Sequence, residues 1–437
     1  MNKAYGTALA GLLLMGTALA GCGGGSSRPG EGEAANAGKS AEPKPPVTLT
    51  LFNGQVMPVD LEATGVLESL KAKHPHITLN VINRGKGSDY PDLIANGTLP
   101  DIIFESASFT TSRVMANGFH YDMQELAKKH RFDLAALEPN VLAQTQAQNS
   151  ESKLYGLPFT MNKYALFYNK DVFDRFGVAY PKDGMSWDET YELAKKTTRS
   201  DGGTTFQGFT ATPNNMMLNN QLSIGPLHPK EDKATINTDG WKLLYANLRR
   251  FFELPNASLV SPGDFSKGTI AMMVNAHPSI VGAAKANPQL NWDVVSVPSL
   301  KERPNVGFKP ATLALFVTQT SKHKDEAFEV VSHMLSEEVQ LILAKNGAGT
   351  PLKNETVKKA TGRDVPEWAG KNVNALYFYP DAPPTEPRAA HLTDVGVDFG
   401  TSFASMIKDN VDENTALRIF EEQVNQAIEA AKAAKAK

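Results

Sequence analysis

The sequence predicts an α/β protein with two domains, and three features of the chain support this prediction. Stretches with strand-like and helix-like spacing of apolar residues alternate along it, which is typical of sheets covered by helices. The chain has 437 residues, more than one hydrophobic core usually holds. It is 41% hydrophobic with a formal net charge of -3, as expected of a globular protein. This charge balance, without a long basic tract, argues against a nucleic-acid partner.

The first 22 residues have the order of an export signal. Lys3 precedes an apolar run over 8–20, and small residues lead to Cys22, the single cysteine of the sequence. The tetrapeptide Leu19-Ala20-Gly21-Cys22 resembles the lipobox of bacterial lipoproteins, in which the cysteine is lipidated and becomes the mature N-terminus. We therefore expect a signal peptide at 1–21 and a lipid anchor at Cys22 on the extracytoplasmic face of the cell membrane. An ordinary secretory signal with a chance cysteine is the alternative.

Residues 22–46 are predicted to form a disordered linker behind the lipid anchor. Between Gly23 and Pro46 there is no aromatic or β-branched residue, so this segment cannot bury enough apolar surface to fold. Fully extended, it spans about 80 Å, enough to hold a folded body away from a membrane. The folded part is therefore expected over 47–437.

The predicted elements begin with a strand, a helix and a second strand. Apolar residues alternate over 47–51, recur at helical spacing over 61–70, and alternate again over 77–81. A further strand is predicted at 101–104. Because strands joined through helices pair in parallel, we expect a parallel sheet covered on both faces.

The later elements continue the alternation. Ser186 and Glu189 have the spacing of a capping box, which predicts a helix that begins there and runs through Lys196. Asn346-Gly347 is a helix stop signal. Other helices are predicted at 112–117, 123–130, 241–252, 324–335, 337–345 and 414–435. Other strands are predicted at 270–274, 293–297 and 313–317.

Several segments, in their order and spacing, resemble the extracellular solute-binding proteins of ABC importers, in particular the group that includes maltose-binding protein. The resemblance covers nearly all of 47–431. It rests on Tyr155-Gly156-Leu157-Pro158, Tyr168-Asn169-Lys170-Asp171, Ser186-Trp187-Asp188-Glu189, Phe265-Ser266-Lys267-Gly268, Trp292-Asp293-Val294 and Lys324-Asp325-Glu326-Ala327-Phe328. It implies a two-lobed periplasmic-binding-protein-like fold of type II, with a solute bound in the cleft between the lobes.

The resemblance also implies where the lobes begin and end. The first lobe is expected over 47–158 and 300–336, and the second over 162–297 and 346–437. Hinge crossings are expected near 158–161, near 298–306 and after Ser336.

Polar and aromatic residues near the ends of the predicted strands are the candidate ligand contacts, because such folds bind ligands at strand ends. Sugar hydroxyls both donate and accept hydrogen bonds, and sugar C–H faces stack on rings, so amides, carboxylates and aromatics suit them. The candidates are Asn53, Gln55, Glu105, Ser108, Asn162, Tyr164, Asn214, Asn215, Asn275, His277, Tyr377, Tyr379 and Arg388. Few aromatics stand where the family's maltodextrin binders carry them, which favours a small sugar or short oligosaccharide.

Several candidates have a structural alternative. Glu105 is equally consistent with a surface charge or helix cap, Asn214 and Asn215 with a simple turn, and His277 with a hydrogen-bonded structural histidine. Phe52 and Phe159 fit either a stacking platform or the core. If Glu105 lines an open cleft, its replacement by alanine is expected to weaken binding but leave folding nearly unaffected.

The leading hypothesis is a lipid-anchored, monomeric solute receptor that delivers a sugar to ABC permease subunits, without a cofactor or metal. A receptor for a non-sugar polar solute is a second hypothesis: Glu105 would favour a cationic solute, and Lys163 or Arg388 an anionic one. A sensor or adhesion lipoprotein is the third. An enzyme has little support, because Ser321 and Lys324 match S-x-x-K without its companion motifs, although a paired-carboxylate glycosidase stays open.

Overall fold

The fold consists of two main β-sheets with helices packed on both faces of each. The computed structural model describes residues 44–146, 153–389 and 391–435, and Pro45–Lys437 form one compact unit. The predicted signal peptide at 1–21, Cys22 and nearly all of the predicted linker at 22–46 lie outside the described residues.

The strands are short and most are rich in β-branched or aromatic residues. In chain order they are β1 Val47–Asn53, β2 Ile77–Asn83, β3 Ile102–Ser106, β4 Leu157–Asn162, β5 Tyr164–Asn169, β6 Arg199–Asp201, β7 Thr204–Phe206, β8 Thr210–Ala211, β9 Met272–Ala276, β10 Trp292–Val295 and β11 Ala311–Val317.

The helices lie between the strands and after the last one. They are α1 Val66–Lys73, α2 Tyr90–Ala95, α3 Gln124–Lys129, α4 Pro139–Gln146, α5 Lys170–Phe176, α6 Trp187–Thr197, α7 Pro213–Leu218, α8 Asp239–Phe252, α9 Pro278–Ala286, α10 Lys324–Met334, α11 Glu337–Lys345, α12 Glu355–Lys359, α13 Phe399–Asp409 and α14 Glu413–Lys435. Short 3₁₀ turns occur at Ala107–Phe109, Leu134–Ala136, Pro262–Lys267, Pro366–Trp368 and Val373–Tyr377, and a π-helical turn at Thr110–Met115.

The first sheet has the strand order β2-β1-β3-β11-β4. Strands β2, β1 and β3 are parallel, as predicted, and their register pairs Asn53 with Asn83 and with Phe104. Strand β11 runs antiparallel to both β3 and β4, so the expectation of a fully parallel sheet is wrong. The chain leaves this sheet at the end of β4 and returns through β11 at the same edge, where Ala311 pairs with Asn162, so β11 must run the opposite way.

The second sheet has the strand order β10-β5-β9-β8. Strand β5 is antiparallel to both β9 and β10, while β8 is parallel to β9. Lys163 alone separates β4 in the first sheet from β5 in the second. We call the segment Asn162, Lys163 and Tyr164 the crossing.

Each sheet is covered on both faces by apolar side chains. In β1, Leu49 and Leu51 face one cluster while Phe52 faces another. In β5, Leu166 and Phe167 likewise face opposite clusters. This double coverage was predicted from the strand and helix alternation.

The lobe boundaries stay predictions, although the packing shows which core several segments join. Leu300 and Phe308 pack in a core of the second sheet. Val339 and Leu343 of α11 pack in a core of the first sheet. Among the described helices, none combines the length and the apolar character needed to cross a membrane.

Candidate functional site

The crossing presents different side chains to its two sides. Successive residues of an extended segment point in opposite directions, so Asn162 and Tyr164 share one side and Lys163 lies on the other. Asn162 is half-buried, and its amide forms no hydrogen bond with any residue that the structure describes. An amide free to donate and accept at the junction of the two sheets can bind a hydroxyl-bearing solute.

Side chains from the second-sheet half surround Tyr164. Its hydroxyl accepts a hydrogen bond from Asn219 Nδ2 at 3.0 Å, and its ring contacts Phe308 edge-on with centroids 5.6 Å apart. Burial raises the pKa of Tyr164, so the phenol stays protonated. Helix α7 carries Asn214 and Asn215 into this region, because the Asn215 carbonyl accepts from Asn219 Nδ2 at 2.9 Å.

The Asn214 side chain serves the fold. Its Oδ1 accepts the backbone N–H of Phe399 at 3.0 Å and so fixes the start of α13. Asn215 is half-buried on α7. Asn214 and Asn215 thus lie on a helix and not in the simple turn offered as the alternative, and the Asn214 side chain has a structural role.

Glu105 lies inside the first sheet and is fully buried. Its Oε2 accepts from Arg113 Nη1 at 3.0 Å and from the Tyr90 hydroxyl at 3.1 Å, and its Oε1 accepts from the N–H of Ser106 at 2.9 Å. Burial, with the nearby carboxylate, raises the pKa of Tyr90 and keeps its proton available. The expectation that Glu105 lines an open, solvated cleft is wrong, because its carboxylate is buried and its charge is balanced by the Arg113 guanidinium.

Three other candidates, Asn53, Gln55 and Ser108, lie at or just beyond the ends of β1 and β3 in the first sheet. Asn53 is buried and its Nδ2 donates to Asn83 Oδ1 at 2.8 Å, while Gln55 is half-buried. Ser108 is exposed, and its hydroxyl lies 2.8 Å from that of Ser106. The pairing of β1, β3, β11 and β4 thus places Asn53, Glu105 and Asn162 at one edge of the sheet.

On its other side, the crossing borders a cavity of about 280 Å³. Lys163 is buried there and forms an ion pair with Asp381. The Lys163 ammonium lies 5.4 Å from the centre of the Tyr377 ring. The cavity lining comprises Glu138, Pro139, Asn140, Met161, Lys163, Lys358, Tyr377, Tyr379, Pro380 and Asp381.

The two late tyrosines are held by the second-sheet half of the protein. The Tyr377 hydroxyl lies 3.0 Å from Thr361 Oγ1, and burial raises its pKa. Tyr379 is buried, with Phe378 packed edge-on against it at 4.8 Å. Tyr377 lies on the Lys163 side of the crossing, whereas Tyr379 packs in the same core cluster as Tyr164 and lines a small cavity together with Tyr164 and Lys163.

His277 ties three segments together. The ring is fully buried, Nδ1 accepts the backbone N–H of Lys163 at 3.0 Å, and Nε2 lies 2.8 Å from the Gly347 carbonyl. This pattern assigns the proton to Nε2. Burial lowers the pKa of His277 to about 4, so the ring is neutral at pH 7. The structure supports the reading of His277 as a structural histidine.

Just beyond Gly347, the chain forms a backbone hydrogen bond with β4. The N–H of Met161 donates to the Gly349 carbonyl at 3.0 Å. A Cβ on Gly349 would lie 2.3 Å from the Met161 carbonyl oxygen, so only glycine fits this close approach.

Asn275 and Arg388 lie apart from the Asn162 side of the crossing. Asn275 stands on β9 opposite Ala165, and its Oδ1 accepts the N–H of Ala276 at 2.8 Å. Arg388 pairs with Asp232 at 3.1 Å and donates to the Thr393 carbonyl at 2.8 Å. These bonds hold a loop of the second-sheet half.

The two phenylalanines proposed as platforms are core residues. Phe52 is fully buried and contacts Tyr90 edge-on at 5.1 Å, and Phe159 is buried against Phe104 at 5.8 Å. A partly exposed ring that the sequence reasoning missed is Phe109, 3.7 Å below the Arg113 guanidinium. Asn219 was also missed, because it stands in no motif and reaches the Tyr164 hydroxyl only through the fold.

The S-x-x-K residues do not form a nucleophile and base. Ser321 Oγ donates to Asp101 Oδ1 at 2.6 Å, and the Lys324 ammonium donates to the Ser321 carbonyl instead of its hydroxyl. Over the described ranges, no three His, Cys, Asp or Glu side chains are grouped so that they could hold a metal ion. The arrangement around the crossing is therefore one of hydrogen-bonding and stacking groups.

The fold is that of the two-lobed periplasmic binding proteins, as predicted. A sugar transporter from Rhizobium etli in an open conformation matches with a TM-score of 0.70 at 19% identity, over 86% of this chain and 99% of that one. The sugar-binding protein MalE from Xanthomonas citri matches with a TM-score of 0.68 at 15% identity, over 90% and 100%.

The sequence comparison gives the family. The chain belongs to the bacterial extracellular solute-binding proteins, whose family model matches residues 61–341. A lactose-binding protein from Rhizobium radiobacter is 23% identical over 316 residues, which is 64% of this chain and 69% of that relative. Membership implies an extracytoplasmic solute receptor, as the sequence indicated.

Proposed function

We propose that this protein is a lipid-anchored receptor that binds a small sugar or short oligosaccharide between its two sheets and delivers it to an ABC permease. It acts without catalysis or a cofactor, as a monomer held to the membrane through Cys22. The relatives named above as lactose-binding and sugar-binding support a carbohydrate ligand.

One observation carries the proposal: the side-chain amide of Asn162, half-buried where the chain passes between the two sheets, has no hydrogen-bond partner among the described residues. A sugar hydroxyl needs a polar partner that can both donate and accept, which a side-chain amide provides. Asn162 supplies this partner at the point where the chain passes between the sheets, next to Tyr164, whose ring is packed in the core of the second-sheet half.

Solute contacts from both sheets exist together only in a closed form, so a bound solute shifts the population toward closure. Solution scattering should therefore give a smaller radius of gyration with saturating ligand than without. An unchanged radius with a bound ligand would contradict closure.

A thermal-shift screen against mono- and disaccharides tests the ligand class, because a ligand at 100 times its Kd adds about 2.7 kcal/mol of stability. Asn162→Ala should then weaken binding of the best sugar about tenfold to a hundredfold, since it leaves a ligand hydroxyl unpaired. Asn414→Ala is the matched control, because Asn414 is exposed on α14. Binding by Asn162→Ala as tight as by the control would remove Asn162 from the site.

A further inference from the structure

Behind the crossing, a cavity separates a helix of the first-sheet half from a segment of the second-sheet half. It is the cavity of about 280 Å³ on the Lys163 side, and we call it the rear cavity. Helix α4 lines it through Asn140, and the segment 377–381 lines it from the second-sheet half. The rear cavity therefore lies between two elements that belong to different sheets.

Each of these two elements is packed in its own half. Leu142 of α4 packs against the core of the first sheet, and Gln144 Nε2 donates to the Pro310 carbonyl at 3.1 Å, next to β11. In the other element, Tyr379 packs in a core of the second sheet. A motion of one half relative to the other therefore changes the distance across the rear cavity.

A hydrogen bond joins the two elements. Asn140 Nδ2 donates to the Asp381 carbonyl at 2.7 Å. The Asp381 side chain has a different partner, because its carboxylate pairs with Lys163. The Asn140 bond thus links α4 directly to the second-sheet half, without passing through the crossing.

The position of this bond determines what closure does to it. In this structure the Asn162 amide is half-buried and has no hydrogen-bond partner among the described residues, so the solute side of the crossing is not closed over it. The Lys163 side lies opposite, because successive residues of an extended segment point in opposite directions. A rotation about the crossing that narrows one side widens the other. Closure on a solute therefore stretches and breaks the Asn140 bond, whereas the Lys163 ion pair lies at the pivot and is kept.

The bond can be broken and formed again at little cost. Asn140 and Asp381 are both half-buried, so the amide and the carbonyl can bond to water when they separate. A neutral hydrogen bond that exchanges with water in this way shifts an equilibrium by about two- to tenfold. That is enough to change a binding constant while leaving the fold intact.

We propose that the hydrogen bond from Asn140 to Asp381 holds the cleft open, so that Asn140 regulates solute affinity without contacting the solute. The proposal rests on the sugar-receptor function proposed above and concerns how that function is tuned. A solute that binds only the closed form has an apparent Kd that falls as the closed fraction of the free protein rises. Removal of the bond should therefore tighten binding.

Single-molecule fluorescence transfer in the protein without ligand tests the proposal. Lys71 of α1 and Lys196 of α6, both exposed, are each replaced by an azide-bearing phenylalanine and labelled with a donor and an acceptor dye. Asn140→Ala should raise the ratio of closed to open molecules about two- to tenfold over wild type, and solution scattering identifies the closed form by its smaller radius of gyration. Asn374→Ala is the matched control, because it removes an exposed amide from the 3₁₀ turn Val373–Tyr377 and should leave the ratio unchanged.

Calorimetry with glucose, galactose, lactose and maltose gives a second readout. Any of these sugars that binds wild type should bind Asn140→Ala about two- to tenfold tighter and Asn374→Ala equally well. A closed-to-open ratio or a Kd of Asn140→Ala that matches the control, or that moves the other way, overturns the role of Asn140 while the sugar receptor stands. If none of the four sugars binds any variant, the sugar-receptor proposal fails, and the dye distances still decide whether Asn140 holds the cleft open.

Discussion

Acid should destabilise the ligand-free protein through His277. The pKa of His277 is about 4 in the folded protein, below the usual value of about 6.5 for an unfolded chain. Between these values the unfolded chain binds the proton and the folded protein does not, so stability falls as the pH falls through this window. From pH 7 to pH 5 the loss from this one group is about 2 kcal/mol.

The structural cause is specific. Protonation puts a hydrogen on Nδ1, which now accepts the Lys163 N–H, and it places a charge at a fully buried site. The bond from Nε2 to the Gly347 carbonyl survives, and a protonated Nδ1 would face the Lys163 carbonyl 3.3 Å away, so the loss comes mainly from the desolvated charge and from the acceptor that the Lys163 N–H loses. The nearby Lys163 ammonium adds repulsion in the same direction.

Urea unfolding at pH 8, 7, 6 and 5, followed by the fluorescence of the four tryptophans, measures this effect. His277→Asn should be less stable than wild type at pH 7, yet lose about 2 kcal/mol less between pH 7 and pH 5. His323→Gln, at an exposed histidine, is the matched control. An equal acid loss in wild type and His277→Asn would refute the reasoning.

Three further predictions concern other parts of the chain. Glu105→Ala should cost about 2 to 4 kcal/mol in chemical denaturation, because it leaves a guanidinium and a phenol without their acceptor; unchanged stability would mean that this cluster is not formed. Gly349→Ala should lower stability by about 1 to 3 kcal/mol, since its Cβ meets a backbone oxygen at 2.3 Å, whereas Gly282→Ala, in an open position of α9, should raise it by up to about 1 kcal/mol. Cys22→Ala should abolish acylation in mass spectra of the protein from membranes, and a wild-type protein without acyl chains would contradict the anchor.

Several of the long amphipathic helices could be predicted from the sequence almost to the residue, although α13 was not predicted. Helix α8 begins two residues before the predicted start, and α10 ends one residue before the predicted end. Strands β4 and β5 were not predicted as strands, because both are apolar runs without alternation, buried on both faces. The direction of β11 could not be predicted either, because it depends on the chain leaving and re-entering the first sheet at one edge.

The site was harder to predict than the fold. Whether a charged side chain has an oppositely charged partner depends on how the folded chain brings residues together, and the sequence alone does not show it. The sequence places Glu105 at a strand end but gives no sign that Arg113 and Tyr90 close over it. Lys163 looked available for an anion, yet Asp381, 218 residues away, neutralises it.

In the closure proposed above, the two sides of the crossing would have different roles. On the Lys163 side, His277 and Asp381 are bonded to Lys163 of the crossing, and Gly347 is bonded to His277. A hinge motion that broke these bonds would leave a buried ammonium and a buried imidazole unsatisfied, so closure must preserve them. On the other side, the Asn162 amide has no hydrogen-bond partner among the residues that the structure describes. That amide gains most when a solute arrives, so the free energy of closure should come from that side of the crossing.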